Sequence, residues 1–107
     1  NETILSYGGM GGQYQPIGQC HVLQNMIDYN LSIQEALDLP RAFALNGELK
    51  IEKSLNVEIK KKLEKIGHNV ITVDNAIGGG QCIKIDRKEG ILIGGSDPRK
   101  DGMAIGY

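Results

Sequence analysis

Hydrophobic and polar positions along the chain follow patterns that predict a series of short helices and strands. Residues 2–7 read as a strand that runs into a glycine-rich loop. After Pro16, apolar residues recur at i, i+1, i+4 and i+5, the spacing of one helix face, which predicts a helix over about 17–30 that ends at Asn30. The predicted apolar face consists of Val22, Leu23, Met26 and Ile27.

A second, shorter helix is marked by a specific start signal. Ser32 and Glu35 have the spacing of a capping box, in which a hydroxyl and a carboxylate each satisfy a free amide at the helix start. Pro40 breaks the helical pattern, so we expect this helix to end at about Asp38 or Leu39.

A third helix is predicted to begin after Ser54, which would cap it, and to end at Gly67, where a left-handed residue is typical. Glu58 and Glu64 are interspersed among its lysines, which indicates a solvated face rather than a basic binding surface. Its buried stripe is predicted to consist of Leu55, Ile59, Leu63 and Ile66.

Short apolar runs typical of strands dominate the second half of the chain. The predicted strands are 48–52, 69–73, 81–86 and 91–95, with residues 87–90 joining the last two as a hairpin. Helices come mostly first and strands last, without regular alternation, which favours an α+β fold with helices packed on a mostly antiparallel sheet. The 107 residues accommodate one domain at most.

Composition and charge exclude several classes of partner. The 12 basic and 13 acidic residues give a net charge of −1, so neither nucleic acid nor an anionic membrane is expected as a main partner. No apolar run approaches the roughly 20 residues of a membrane span. Cys20 and Cys82 are not in a C-x-x-C pair, and we expect small buried apolar residues rather than a disulfide.

The glycine-rich stretch contains Gly8, Gly9, Gly11 and Gly12, just before the first predicted helix. The dinucleotide-binding fingerprint fails, because counting from Gly9 its third glycine position is Tyr14, and no Gly-Lys-Ser/Thr occurs to make a phosphate-binding loop. Two interpretations remain open from the residues alone. The stretch is a structural turn, or its amides bind an anion at the positive end of a helix.

The other candidate chemistry is sparse, and we predict neither a metal nor a cofactor. His21 and His68 lack the spacing of metal ligands. Asp97 and Asp101 resemble part of a calcium loop, but the later Glu is missing, and a turn built by Asp-Pro and Asp-Gly explains them with fewer assumptions. The chain has no G-x-S-x-G elbow and no local Ser/His/Asp arrangement, so it carries no complete active site.

Several motifs occur in the order found in one known family. They are "GGMGGQYQP", "IDYNLSIQEALDLPR", "GHNV", "GGGQCIKID" and "SDPRKDGMAIGY". Together they resemble the γ-glutamyltransferase (γ-glutamyl transpeptidase) family over nearly the whole chain. The resemblance places residues 1–107 in the C-terminal portion of that family's small subunit, as one incomplete domain. The remainder of the same precursor, namely the large subunit and the first half of the small subunit, is then the expected partner.

The resemblance implies a fold and a mechanism. The family consists of N-terminal nucleophile hydrolases with an αββα sandwich, whose autoprocessed precursor exposes a Thr that attacks a γ-glutamyl or related acyl amide. The family's oxyanion hole consists of two consecutive glycine amides, which match Gly11 and Gly12 here. The preceding Gly9-Met10 stands where many members have Ser-Pro. The nucleophile is expected upstream of Asn1.

The resemblance leaves alternatives open. A degenerate relative would serve as a non-catalytic scaffold or binding domain, and an anion-binding module would use the glycine stretch to hold phosphate. A Thr at a self-cleavage junction upstream favours the enzyme. The segment does not indicate whether the full protein is periplasmic, extracellular or cytoplasmic.

Because the nucleophile is expected outside these residues, the isolated 107-residue chain should be inactive. A purified fragment incubated with a chromogenic γ-glutamyl anilide should release no anilide above the buffer rate. Clear turnover by the fragment would show that the chain carries its own nucleophile.

Overall fold

The computed structural model describes residues 2–107. This part of the chain forms three α-helices, one short 3₁₀ helix and six strands. In chain order they are β1 (Leu5–Met10), the 3₁₀ helix (Gly12–Tyr14), α1 (Gln15–Ile27), α2 (Ile33–Asp38), β2 (Ala42–Leu45), β3 (Glu48–Glu52), α3 (Val57–Lys65), β4 (Val70–Val73), β5 (Gly79–Asp86) and β6 (Ile91–Ser96). Within residues 2–107, no helix combines the length and the apolar character that crossing a bilayer requires.

The described residues divide into two compact units. The first contains the chain up to Leu39 together with Gly78–Tyr107, and the second contains Pro40–Ile77. In the first unit, β1, β5 and β6 form an antiparallel sheet in the order β1-β5-β6. Helices α1 and α2 contact this sheet, so the unit is a helical layer on an antiparallel sheet, as the sequence predicts.

The core of the first unit lies between this sheet and its helices. Its fully buried members are Val22, Ile33, Ala36, Leu37 and Cys82. Burial raises the pKa of the Cys82 thiol, because the thiolate would lose its hydration. Cys20 and Cys82 are both free, as expected, but Cys20 is exposed. The expectation of a buried Cys20 is therefore wrong, because its position on α1 faces away from the sheet core.

Helix α2 approaches the sheet closely because two strand positions lack side chains. A Cβ on Gly95 would collide with Cγ2 of Ile33, and a Cβ on Gly80 would lie 3.3 Å from Cδ2 of Leu37. Leu37 is fully buried in this contact. The small residues of β5 and β6 therefore set the distance between the helical layer and the sheet.

The start of α2 is the predicted capping box. The amide of Glu35 donates to Oγ of Ser32 at 3.3 Å, and the amide of Ser32 donates to Oε2 of Glu35 at 2.8 Å. These hydrogen bonds with the Ser32 side chain and backbone lower the pKa of the Glu35 carboxyl. The helix ends at Asp38, before Pro40, so its predicted extent is confirmed.

The second unit is built around β3. Strand β2 pairs with β3 in antiparallel fashion and β4 pairs with it in parallel. Strand β2 is absent from the sequence-based prediction. Its two-residue turn, Asn46 and Gly47 at φ 53° and 77°, is the Asn-Gly hairpin signal that would have revealed it.

Helix α3 differs from its prediction at its start and on its face. Its cap is Asn56, whose Oδ1 accepts a hydrogen bond from the Glu58 amide at 2.8 Å, rather than Ser54. Gly67 follows the helix at φ 102°, as predicted. No residue of α3 is buried, so the predicted buried stripe is wrong, and Ile59 is 47% exposed.

The elements around the glycine stretch also differ from prediction. Strand β1 begins at Leu5 and continues through Gly8 and Gly9 to Met10, so the first half of the predicted glycine loop is strand. Pairing with β5 explains this, because β5 supplies a partner along all of β1. Helix α1 runs earlier than predicted, over Gln15–Ile27, and Asn30 lies beyond it at φ 53°.

The spacing between α2 and the sheet can be tested with two strand glycines. Gly95→Ala should lower the free energy of unfolding by about 1–3 kcal/mol, because the new methyl group collides with Ile33. Gly8→Ala is the matched control, since a Cβ there meets nothing within 4 Å. Urea unfolding of both variants measures the difference, and equal midpoints would contradict the packing described.

Candidate active site

The glycine stretch turns the chain from β1 into α1. Strand β1 ends at Met10, and Gly11 and Gly12 follow with φ of 146° and 57°, conformations that favour glycine. The carbonyl of Gly11 accepts a hydrogen bond from the Tyr14 amide at 3.1 Å, and the carbonyl of Gly12 accepts one from the amide of Gln15. The carbonyls are therefore occupied in starting the helix.

The amides of the same two glycines are differently placed. Across residues 2–107, neither the Gly11 nor the Gly12 N–H donates to a protein acceptor. Both residues are exposed, and no atom lies within 4 Å of the position that a Gly12 Cβ would take. Two consecutive backbone donors without a protein acceptor thus lie at one exposed turn.

The electrostatics of this turn favour a negative charge. It leads through the short 3₁₀ helix Gly12–Tyr14 into the N-terminus of α1, where unpaired amides carry partial positive charge. The first turn of α1 contains no acidic side chain that would cancel this field, and it contains Pro16, which is well suited to a helix start. The arrangement can accept an anionic oxygen without any cationic side chain.

Tyr14 holds the turn from behind. Tyr14 is only 3% exposed, and its ring lies where three glycines leave room. A Cβ on Gly18 would be 2.5 Å from Cε1 of Tyr14, one on Gly78 would be 2.7 Å from Cδ1, and one on Gly11 would be 3.3 Å from Cδ1. The ring therefore joins the turn to α1 and to the residue preceding β5.

Asp97 is a buried structural carboxylate rather than part of a calcium loop. It is 0% exposed, and its Oδ2 accepts from the Gly80 amide at 2.9 Å. Its Oδ1 accepts from the Arg99 amide at 2.9 Å and from Arg99 Nη1 at 3.1 Å. The amide of Lys100 donates to the Asp97 carbonyl, which confirms the predicted turn, whereas Asp101 is exposed.

Arg99 extends this network to the end of α2. Its Nη1 donates to the Leu37 carbonyl at 2.7 Å and its Nη2 donates to the Leu39 carbonyl at 2.8 Å. The Asp97 amide also donates to the Gly80 carbonyl at 3.1 Å, so Gly80 is held at both of its backbone groups. Gly80 pairs with Gly9 of β1, so the network fixes the start of β5, next to the glycine turn.

The second unit has its own buried ionic residues, which the sequence-based reasoning missed. Glu52 is 7% exposed and accepts from the amides of Arg41 and Ile77, each at 2.9 Å. Nη1 of Arg41 donates to the Ile77 carbonyl at 3.0 Å. These contacts tie β3 to the two ends of the unit. The sequence offered one local signal for them, since Arg41 follows Pro40 and Glu52 ends a predicted strand.

The remaining candidates form no second site in the described part of the chain. His21 lies on α1, and His68 lies in the exposed turn after α3. Among residues 2–107, no group of three or more His, Cys, Asp or Glu side chains is arranged to hold a metal ion. Ser32 caps α2 as predicted, but Ser54 does not serve as a cap.

Comparison with solved structures identifies the fold class of this chain. It superposes on the crystal structure of a variant of Helicobacter pylori γ-glutamyltranspeptidase with a TM-score of 0.83 and 32% identity, covering 94% of this chain and 56% of that one. A cephalosporin acylase from Bacillus halodurans gives a TM-score of 0.85 and 38% identity, covering 94% and 20% of the two chains. The mixed α+β fold is that of the N-terminal nucleophile hydrolases, as predicted.

Sequence comparison narrows the class to one family. The family model described as Gamma-glutamyltranspeptidase matches residues 1–107. The glutathione hydrolase-like YwrD proenzyme of Bacillus subtilis is 38% identical over 111 residues, which cover 95% of this chain and 21% of that protein. The chain therefore belongs to the γ-glutamyltranspeptidase family. It spans about a fifth of the length of the curated relatives it matches.

The role of Asp97 can be tested by unfolding. Asp97→Ala should lower the free energy of unfolding by about 3–5 kcal/mol, because it leaves Arg99 and the Gly80 amide without their buried acceptor. Asp101→Ala is the control, and its effect should stay within about 0.5 kcal/mol. Calcium should shift the melting temperature of neither the parent protein nor the variants. Equal stability of the two variants, or a calcium-dependent shift lost in both, would contradict the assignment.

Proposed function

We propose that the full protein is a γ-glutamyltransferase or hydrolase that cleaves γ-glutamyl or related acyl amides through an acyl-enzyme on an N-terminal Thr. In this proposal, residues 1–107 are one incomplete domain from the C-terminal portion of the small subunit. They supply the oxyanion hole and part of the scaffold. The observation that carries the proposal is the pair of accessible amides at Gly11 and Gly12, at the positive end of α1.

The chemistry requires such a pair. When the Thr hydroxyl attacks the amide carbonyl, its proton passes to the Thr α-amine, and the carbonyl oxygen becomes an oxyanion. Two aimed N–H donors stabilise that oxygen more than they stabilise the neutral carbonyl, because the developing charge strengthens both hydrogen bonds. The intermediate then collapses, and the amine of the substrate leaves with a proton. Water or an acceptor amine releases the acyl group.

Glycine at both positions suits this role. A side chain at residue 11 would crowd Gly78 and Tyr14, and a side chain at residue 12 would project into the open space in front of the turn. Backbone amides are also fixed by the turn itself, so they need no reorganisation when the charge forms. Neither the Gly11 nor the Gly12 amide is needed for the hydrogen bonds that start the helix.

The partner proposed for this chain is the remainder of its own precursor. The curated relatives are named proenzymes, and this chain spans about a fifth of their length, which supports a larger parent protein. The proposed substrate is an acyl amide, and the names of the relatives point to two kinds of acyl group. One relative is named a glutathione hydrolase and another a cephalosporin acylase, and both versions present the same carbonyl to the turn.

Removing one amide donor tests the oxyanion role. In the processed full-length enzyme, Gly12→Pro deletes one N–H and also cannot adopt the φ of 57° found at this position, so it should lower kcat by about 100-fold or more. The loss appears in kcat because the donor acts on the transition state.

Gly12→Ala is the matched control for that variant. Alanine keeps the N–H, and its methyl group meets nothing within 4 Å, although φ of 57° strains it. It should therefore retain most of the turnover that Gly12→Pro loses. An unchanged kcat in Gly12→Pro would remove Gly12 from the oxyanion hole.

A further inference from the structure

The second glycine-rich motif, Gly78-Gly79-Gly80, has no role in the proposed chemistry, yet its first residue contacts the glycine turn. Gly78 lies directly before β5 at φ 68°. The position of a Cβ on Gly78 is 2.8 Å from the carbonyl oxygen of Met10 and 2.7 Å from Cδ1 of Tyr14. Its own Cα lies 3.1 Å from the position that a Gly11 Cβ would take. The backbones of the two motifs therefore touch.

The contact with the Met10 carbonyl matters because of peptide geometry. The Met10 carbonyl and the Gly11 N–H belong to one planar peptide unit, with the oxygen and the hydrogen pointing in opposite directions. Whatever fixes the direction of that oxygen therefore also fixes the direction of the Gly11 N–H. Gly78 lies next to the oxygen of this peptide unit, at a distance that leaves no room for a methyl group between them.

The segment that carries Gly78 is itself held firmly. Gly79 pairs with Met10, and Gly80 pairs with Gly9, so β5 is in register with the end of β1. Both backbone groups of Gly80 are hydrogen bonded to buried Asp97. The ring of Tyr14 closes the other side of Gly78. Gly78 thus presents a fixed surface to the Met10–Gly11 peptide.

We propose that Gly78 is a positioning residue for catalysis, which aims the Gly11 amide at the oxyanion by leaving space for the Met10 carbonyl. This inference rests on the proposed function. Gly78 makes no contact with substrate and acts only through the shared peptide plane. A side chain at residue 78 would push the carbonyl away and turn the N–H off the position of the oxyanion.

The test uses Gly78→Ala in the processed full-length enzyme, with Gly90→Ala as its matched control. Both glycines have φ of 68°, a left-handed value that strains alanine in each, but a Cβ on Gly90 meets nothing within 4 Å. Gly78→Ala should lower kcat by about 10- to 100-fold, because a misdirected donor loses most of its effect. KM should stay near the parent value, since the ground-state carbonyl makes little use of the donor. Gly90→Ala should match the parent enzyme in both constants.

A second readout separates aiming from general damage to the structure. A boronic acid analogue of the acyl group forms a tetrahedral, negatively charged adduct with the Thr hydroxyl, and so it requires the oxyanion hole. Gly78→Ala should weaken inhibition by this boronate by the same factor by which kcat falls. Competitive inhibition by the free carboxylic acid product, which forms no such adduct, should be unchanged. Equal weakening of both inhibitors would overturn the proposal in favour of a merely structural role.

If Gly78→Ala does not fold, the test can be made in a variant in which the Tyr14 ring no longer collides with residue 78. Tyr14→Ala removes the two ring-atom contacts and keeps the contact with the Met10 carbonyl. Adding Gly78→Ala to Tyr14→Ala should lower kcat relative to Tyr14→Ala alone by about 10-fold or more. No further loss in the double variant would overturn the proposal.

The inference and the proposed function fail in different ways. If Gly12→Pro lowers kcat but Gly78→Ala behaves like Gly90→Ala, the positioning role is wrong and the oxyanion hole stands. If Gly12→Pro leaves kcat unchanged, the oxyanion hole itself is wrong. Measuring Gly12→Pro, Gly78→Ala and Gly90→Ala in one series therefore shows which of the two proposals a negative result contradicts.

Discussion

The ring of Tyr14 fills space that three glycines leave empty, and the surrounding geometry depends on this contact. Gly11, Gly18 and Gly78 come from the turn, from α1 and from the residue before β5, and each would collide with or crowd the ring if it carried a side chain. One buried aromatic residue therefore sets the start of a helix, the end of a strand and the shape of the turn between them. The exposed glycine turn is therefore packed against a buried ring.

Two buried carboxylates extend the same principle of fixed backbone. Asp97 holds both backbone groups of Gly80 and, through Arg99, the last carbonyls of α2. Glu52 holds the amides of Arg41 and Ile77 in the second unit. The N–H bonds that such a carboxylate accepts compensate its buried charge, and they tie together segments that are far apart in sequence. In the first unit, the exposed glycine turn therefore follows a strand whose partner, β5, is held by buried Asp97.

Several features that depend on residues close in sequence were predicted correctly, whereas features that depend on distant residues were not. The capping box at Ser32, the left-handed Gly67 and the hairpin between β5 and β6 are local, and all three are confirmed. For α3, the predicted cap was wrong because Asn56 caps the helix instead of Ser54. The predicted buried stripe was wrong because it required a layer covering the helix, and no residue of α3 is buried. The contact of Asp97 with Gly80 and the contacts of Glu52 could not be predicted, because these partners lie about 11 to 25 positions away in sequence and follow no periodic pattern. Gly11 and Gly12 were singled out through family motifs, whereas the role inferred for Gly78 required the distance to the Met10 carbonyl.

The turn after β1 is proposed to receive a negatively charged oxygen, and a crystal structure of the trapped enzyme can show whether it does. The measurement is the structure of the processed full-length protein with a tetrahedral boronate on its nucleophile. We expect one boronate oxygen at about 2.7–3.1 Å from both the Gly11 and the Gly12 nitrogen, with the Met10 carbonyl still against Gly78. A tetrahedral oxygen held by other donors, with both glycine amides facing solvent, would contradict it.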